Sequence, residues 1–261
     1  MKVVFTGGGT GGHFYPIIAI AQELNDLIDQ EHIASARLYY FSDKPYDEQS
    51  LFEQHIKFVS VPSGKLRLYF SLKNILSPLK VAWGCLVALW KLLRVYPDVV
   101  FGKGGYASFP TLVAARILGI PVIIHESDSV PGRVGRIASK WAKRIAVSYK
   151  EAATFFPASK VAHTGQPIRR ELANPVSQGA YEYLKLESAT PTIVVFGGSL
   201  GAQLLNETMW EMVPELINDY QIIHVVGTKH HEVMQQLADS ELANHPYRTR
   251  YKVFGFLNAW L

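Results

Sequence analysis

The chain has one cysteine, Cys85, set in an apolar run. A lone thiol excludes a disulfide framework and a cysteine-ligated metal site, and its neighbours predict a buried side chain in a reducing compartment. No run approaches the roughly 20 apolar residues that a membrane-spanning helix needs. An Asp-x-Asp pair, a short-period repeat and a low-complexity tract are all missing. Neither a metal nor another cofactor is expected. The first strand is expected to begin at Met1, which leaves no room for a signal peptide.

Acidic residues are missing locally. From Gln54 to Pro97 there is no Asp or Glu, while Lys57, Lys65, Arg67, Lys73, Lys80, Lys91 and Arg94 fall in that span. A second acid-free stretch, Ser129 to Lys150, holds Arg133, Arg136, Lys140, Lys143, Arg144 and Lys150. Residues 1–170 carry 21 Lys and Arg against 12 Asp and Glu; residues 171–261 carry 5 against 10. This asymmetry predicts two domains, 1–169 and 170–261, the first facing something anionic. Inside the first stretch, Leu79–Leu93 is apolar almost all round. Part of it reads as a core helix. With Leu66, Leu68, Tyr69, Phe70, Leu72 and Trp83 it also reads as an exposed patch ringed by cations, suited to an anionic membrane surface. Nucleic acid is disfavoured as a partner, because the aromatics form no stacking arrangement on a recognisable module.

Short β-branched strands alternate with helices: Val3–Phe5, Leu38–Phe41, Phe58–Val61, Val99–Phe101, Val122–His125 and Arg144–Val147. The alternation predicts an α/β fold with a parallel sheet, whose ligands bind beyond the carboxyl ends of the strands. The first strand runs into Gly7-Gly8-Gly9-Thr10-Gly11-Gly12-His13, ahead of a helix expected over Ile17–Leu27. Strand, glycine loop and helix make an anion cradle, because bare N–H groups and a helix N-terminus converge on it. His13 at that N-terminus is expected to be a neutral imidazole, able to accept a proton. A second cradle follows Val99–Phe101, at Gly102-Lys103-Gly104-Gly105-Tyr106, with a helix expected over Thr111–Leu118. A third, Gly197-Gly198-Ser199-Leu200-Gly201-Ala202, follows Thr192–Phe196. Ile193–Phe196 and Ile222–Val226 read as fully buried strands. Glu126-x-Asp128, after the fifth strand, could also be read as a metal-binding acid pair.

The string Gly-Gly-Thr-Gly-Gly-His resembles the N-terminal loop of the MurG family of bacterial N-acetylglucosaminyltransferases. Four more segments are similar to that family in order and spacing. They are the Gly104-Gly105-Tyr106 loop, His125-Glu126-Ser127-Asp128, Gly165-Gln166-Pro167-Ile168-Arg169, and Gly197–Ala202 with Phe254–Leu257 after it. Ser127 and Asp128 depart from the family's Gln-Asn, and an ionised Asp128 cannot donate a hydrogen bond where the family has an amide. Gln166 and Ile168 stand for Asn and Val. The resemblance implies two Rossmann-like domains of glycosyltransferase-B architecture, the second incomplete, with the active site in the cleft between them. It implies inverting transfer of N-acetylglucosamine from UDP-N-acetylglucosamine to lipid I, an undecaprenyl-diphosphate-linked acceptor, giving lipid II for peptidoglycan. It also implies a peripheral protein on the cytoplasmic face of the bacterial inner membrane.

On that basis His13 is the expected catalytic residue. Thr10, Gly11, Gly12, Asp128, Arg169, Ser199 and Leu257 are the expected donor-binding set. Gly8, Gly9, Gly104, Gly105 and Tyr106 are expected to hold the acceptor diphosphate. Two other classes stay open: a nucleotide-dependent oxidoreductase, favoured by Gly7-x-Gly9-x-x-Gly12, and a non-catalytic or split-subunit partner at the membrane. The sequence stops just inside an expected helix, so the chain reads as C-terminally truncated and inactive in transfer by itself.

Overall fold

The computed structural model describes residues 1–33, 35–64, 73–174, 179–198 and 201–257. They fall into two compact units, Met1–Asn174 and Pro175–Leu261. In chain order the first unit comprises β1 (Lys2–Thr6), α1 (Gly11–Gln30), β2 (Arg37–Ser42), α2 (Glu48–Glu53), β3 (Ile56–Ser60) and α3 (Lys73–Val95). There follow β4 (Val99–Gly102), α4 (Phe109–Ile117), β5 (Val122–Glu126), α5 (Arg133–Ala138), β6 (Arg144–Val147), α6 (Lys150–Ala153), β7 (Val161–His163) and α7 (Arg170–Ala173). All seven strands are parallel, in the order β3-β2-β1-β4-β5-β6-β7. The chain winds outward from β1 to β3, then crosses back to β4 and winds the other way. The β1/β4 boundary is therefore the topological switch point, where a doubly wound sheet opens a crevice for ligands.

Strand alternation sends neighbouring side chains to opposite faces. Val4, Phe41, Val100 and Ile145 join Leu92 of α3 and Leu112 of α4 in one core. Val3, Phe5, Leu38 and Tyr40 join Phe14 and Ile17 of α1 in the other. Covering both faces explains why these strands are continuous apolar runs rather than alternating ones. α7 packs with the first unit. Arg170 pairs with Glu23 at 2.9 Å and Asp26 at 2.5 Å, and Gln22 donates to Glu171.

Two expectations need correction here. α1 begins at Gly11 and not at Ile17, so Pro16 lies inside it. Gly11, Gly12 and His13 are thus the first turn of the helix and not a loop before it. The sheet also has a seventh strand, β7, that the pattern did not show. It has only three residues, Val161-Ala162-His163, two of them exposed at the sheet edge.

The second unit comprises α8 (Ala180–Tyr183), β8 (Thr192–Phe196), α9 (Gln203–Leu216), β9 (Gln221–Val225), α10 (His231–Glu241) and β10 (Tyr251–Phe254). Its strands form a parallel sheet, β10-β9-β8, among the described residues. Met209, Val213 and Ile217 of α9 and its C-terminal edge, with Ile222, Ala238 and Tyr251, make its core. β9 is fully buried, but β8 is not.

No helix among the described residues is long and apolar enough to cross a membrane. On α3, Ala88 and Leu92 are buried while Leu79, Trp83, Leu86, Trp90 and Leu93 are exposed. Their alternating spacing of four and three puts the exposed residues on one helix face. Arg94 lies over the Trp90 ring at 3.6 Å. Leu66, Leu68, Tyr69, Phe70 and Leu72 lie outside the described residues. Cys85 is half-buried, less enclosed than its apolar neighbours suggested, and burial pushes its thiol pKa up.

Candidate functional site

The glycine loops after β1 and β4 meet at the switch point. Gly9 has φ +96° and Gly105 φ +79°, backbone that L side chains rarely adopt. A Cβ on Gly105 would lie 2.4 Å from the Gly8 carbonyl oxygen and 2.9 Å from Cδ2 of His13. One on Gly9 would lie 2.8 Å from the Tyr106 ring. Only glycine lets the two loops touch. Gly8, Gly9, Gly105, Tyr106 and His13 are therefore neighbours, with Gly104 beside them at φ +87°.

Hydrogen bonds brace this cradle from the β2 side. Tyr106 donates to Asp43 at 3.0 Å, Tyr40 donates to the Gly7 carbonyl at 2.9 Å, and Thr6 donates to Phe41 O at 2.8 Å. Burial pushes the Tyr40 hydroxyl up to about 12, so it stays a donor. Thr10 is the N-cap position of α1, extended at φ −150°, and its hydroxyl makes no capping bond. That leaves the first-turn N–H groups of Gly11 and Gly12 without a side-chain cap.

His13 occupies the same turn. Its Nδ1 is buried and has no hydrogen-bond partner among the described residues. Burial, reinforced by the Lys103 charge, holds its pKa below the ordinary histidine value; Asp128 and the Lys103 backbone partly oppose the shift. The imidazole is therefore neutral near pH 7. A helix dipole was the expected reason, whereas the larger causes are burial and a lysine.

From the β5 side, Glu126 is fully engaged by backbone. Its Oε1 accepts from the Ser127 and Asp128 N–H groups and its Oε2 from Gly132 N at 3.0 Å. That use as a loop clamp leaves the acid-pair metal reading without support, and no cluster of three metal-ligating side chains occurs among the described residues. Lys103 donates to Ser127 Oγ, Ser127 donates to Gln166 Oε1 at 2.7 Å, and Ser148 donates to the same oxygen at 2.7 Å. His125 contacts Gly165 O at 3.1 Å, and burial together with Lys103 pushes it down to about 4. Arg169 stacks over Tyr15 at 4.2 Å.

The expected site residues of the first unit thus all lie at the carboxyl end of its sheet or on the segment leaving it. Leu257 follows β10 in the second unit, and Ser199 lies outside the described residues. Gly198 and Gly201 on either side of Ser199 have φ of +74° and +77°. Sequence reasoning assigned no role to Lys103, Asp43, Ser148 or Tyr15. A lysine between glycines at a strand end was the visible signal for the first; nothing local marked the others.

Residues 3–147 match the family model for the glycosyltransferase family 28 N-terminal domain, and residues 192–260 the one for its C-terminal domain. The doubly wound sheet with paired glycine cradles and these two matches place the chain in glycosyltransferase family 28. Over 226 residues the chain is 39% identical to a UDP-N-acetylglucosamine–N-acetylmuramyl-(pentapeptide) pyrophosphoryl-undecaprenol N-acetylglucosamine transferase of Bacillus thuringiensis (strain Al Hakam), covering 87% of this chain and 62% of that one. A transferase of the same name from Treponema denticola is 36% identical over 98% of this chain and 67% of its own. The crystal structure of Acinetobacter baumannii MurG superposes with a TM-score of 0.63 at 26% identity, over 99% of this chain and 67% of that one. The chain belongs to glycosyltransferase family 28 and, within it, to the MurG family. It spans about three fifths of the length of the Bacillus relative.

Proposed function

We propose that the chain serves inverting transfer of N-acetylglucosamine from UDP-N-acetylglucosamine to the muramyl 4-hydroxyl of lipid I, producing lipid II. The observation that carries this reading is the pair of touching glycine loops with a neutral, half-orphaned His13 between them. A buried ring nitrogen without a partner costs free energy unless a ligand completes it. In this reading His13 takes the acceptor hydroxyl proton as that oxygen attacks the sugar's anomeric carbon and the UDP oxygen departs. Glycine N–H groups and the α1 N-terminus supply the charge stabilisation that such anionic groups need.

Gly8, Gly9, Gly104, Gly105 and Tyr106 would hold the acceptor diphosphate. Thr10, Gly11, Gly12, Asp128, Arg169, Ser199 and Leu257 would bind the donor. Residues 1–169, with α7 packed on them, are read as the acceptor and membrane domain, and the residues after α7 as the UDP-sugar domain. The exposed α3 stripe beside the acid-free basic span supports docking on the anionic cytoplasmic leaflet, where a lipid-linked acceptor resides. An oxidoreductase is disfavoured, because the second cradle has no use in it.

The test is transfer to lipid I by the full-length protein, with His13→Ala beside it. Loss of a general base costs about a hundredfold or more. Near-wild-type turnover in a folded His13→Ala variant removes His13 from the mechanism, and preferential binding of NAD over UDP-N-acetylglucosamine in calorimetry overturns the reading altogether.

A further inference from the structure

Lys103 is 2% exposed, whereas the other lysines whose side chains are described are half-buried or exposed. Burying an ammonium is costly unless it is paired and hydrogen-bonded, so a lysine in this position calls for a reason. Its backbone N–H donates to Thr6 O at 2.8 Å, extending the β1/β4 pairing by one residue. Its stem passes Gly7 so closely that a Cβ there would lie 3.3 Å from Lys103 Cβ. Its ammonium ends on Ser127 Oγ. From there the bonds run one way, Ser127 to Gln166, with Ser148 converging on the same Gln166 oxygen. One amine thus ties together the loops after β4, β5, β6 and β7.

We propose that Lys103 is a positioning residue of this site: anchored on Ser127, it braces those four loops and holds a positive charge beside His13. The proposal rests on the reading of His13 as the proton acceptor. A cation near an imidazole disfavours a second positive charge, so it keeps the ring in the form that accepts a proton. The charges acting on His13 are Lys103 and Asp128. Those acting on Lys103 are Glu126 and Asp128, which partly offset burial and leave its pKa at about 8. Lys103 also bears on His125.

The experiment is a pH titration of histidine ring signals by NMR in the 261-residue chain, with His13 assigned by the loss of its signal in His13→Gln. In Lys103→Met the His13 and His125 midpoints move up. In Lys103→Arg they stay near wild type. His224, in the second unit, stays at about 4 in every variant. In the unmodified chain the His13 ring signals also show a small second inflection at about pH 8, as Lys103 loses its proton, and this requires no variant to fold. An unmoved His13 midpoint in folded Lys103→Met, an equal shift in Lys103→Arg, or no inflection in that range each overturns the proposal. None of these readouts depends on turnover. A positive titration with full activity in His13→Ala would therefore sink the catalytic reading and leave the electrostatic one standing.

Discussion

β1 and β8 are the same piece of sequence design placed in two settings. Each is a five-residue apolar strand that feeds a glycine loop and then a helix. β1 lies between β2 and β4, and Phe5 is 1% exposed. β8 pairs with β9 alone among the described residues, and Val194 and Phe196 are 49% and 61% exposed. Ile193–Phe196, which reads as a fully buried strand, lacks such cover among the described residues, while β9, flanked on both sides, is buried throughout. An apolar run shows that a strand can be covered on both faces. Whether it is covered depends on neighbours from elsewhere in the chain.

The loops differ in the same way. In the first unit the glycine loop rests on a second glycine loop. In the second, a Cβ on Gly201 would lie 2.4 Å from Val226 O and 2.6 Å from the His230 ring, so that loop rests on the turn after β9. Two phosphate-type loops in contact form a concave anion site, whereas one loop on an ordinary turn offers a single helix N-terminus.

The largest expected effect tests the strand comparison directly. Phe5→Ala removes a ring from a closed core and costs about 3–5 kcal/mol. Phe196→Ala removes a mostly exposed ring and stays within about 0.5 kcal/mol. Urea denaturation of both variants, followed by probes in each unit, measures the difference. Equal losses would mean that β8 is covered in solution.

Acid sharpens the comparison next. His125 in the first unit and His224 in the second are both pushed down to about 4. For His125 the causes are burial and Lys103; for His224, bonded to Asn206 and Tyr251, burial alone. Each stays neutral in the folded chain while its unfolded counterpart protonates below about 6.5. The unfolded state then binds more protons between about pH 6.5 and 4, so each unit loses stability as pH falls through that window. The loss is on the order of 3 kcal/mol per histidine across the whole window. His125→Asn should flatten the acid limb of the first unit only. A flat profile in the unmodified chain across the same window would contradict the burial of both.

How far the fold was legible follows from the range of each cause. The first six strands and the two first-unit cradles come from local patterns of apolar runs and glycines, and these were readable; the switch point between β1 and β4 depends on the strand order and was not. Other features were not. α1 starts at Gly11 because touching loops hold the first turn in place, against the weak helix propensity of glycine and the presence of Pro16. β7 is too short to carry a pattern and exists because β6 offers an edge. Lys103, Ser127, Ser148 and Gln166 stand on four separate loops and meet only through the sheet order β4-β5-β6-β7, which no linear spacing encodes.

The smallest expected effect on stability carries a large effect on binding, and it sets the basic surface of the first unit against the acidic second unit. Leu79, Trp83, Leu86, Trp90 and Leu93 already face solvent, so Trp83→Ser with Trp90→Ser should leave stability within about 0.5 kcal/mol. On vesicles containing anionic lipid the same pair should lose most of its binding, because the inserted rings supply the apolar part of the attachment. The cations nearby, Lys80 and Arg94 among them, contribute on the order of 1 kcal/mol each near an anionic surface, and salt screens them over about 10 Å at roughly 0.1 M. Co-sedimentation of the unmodified chain should therefore rise with anionic lipid content and fall with added salt. Phe196 and Leu204 of the second unit are comparably exposed, but residues 171–261 carry 10 acids against 5 bases, and an anionic surface repels them. Phe196→Ser should leave vesicle binding unchanged. If it weakens binding as much as the Trp83 and Trp90 pair does, apolar exposure alone drives attachment and the charge asymmetry between the units has no part in it.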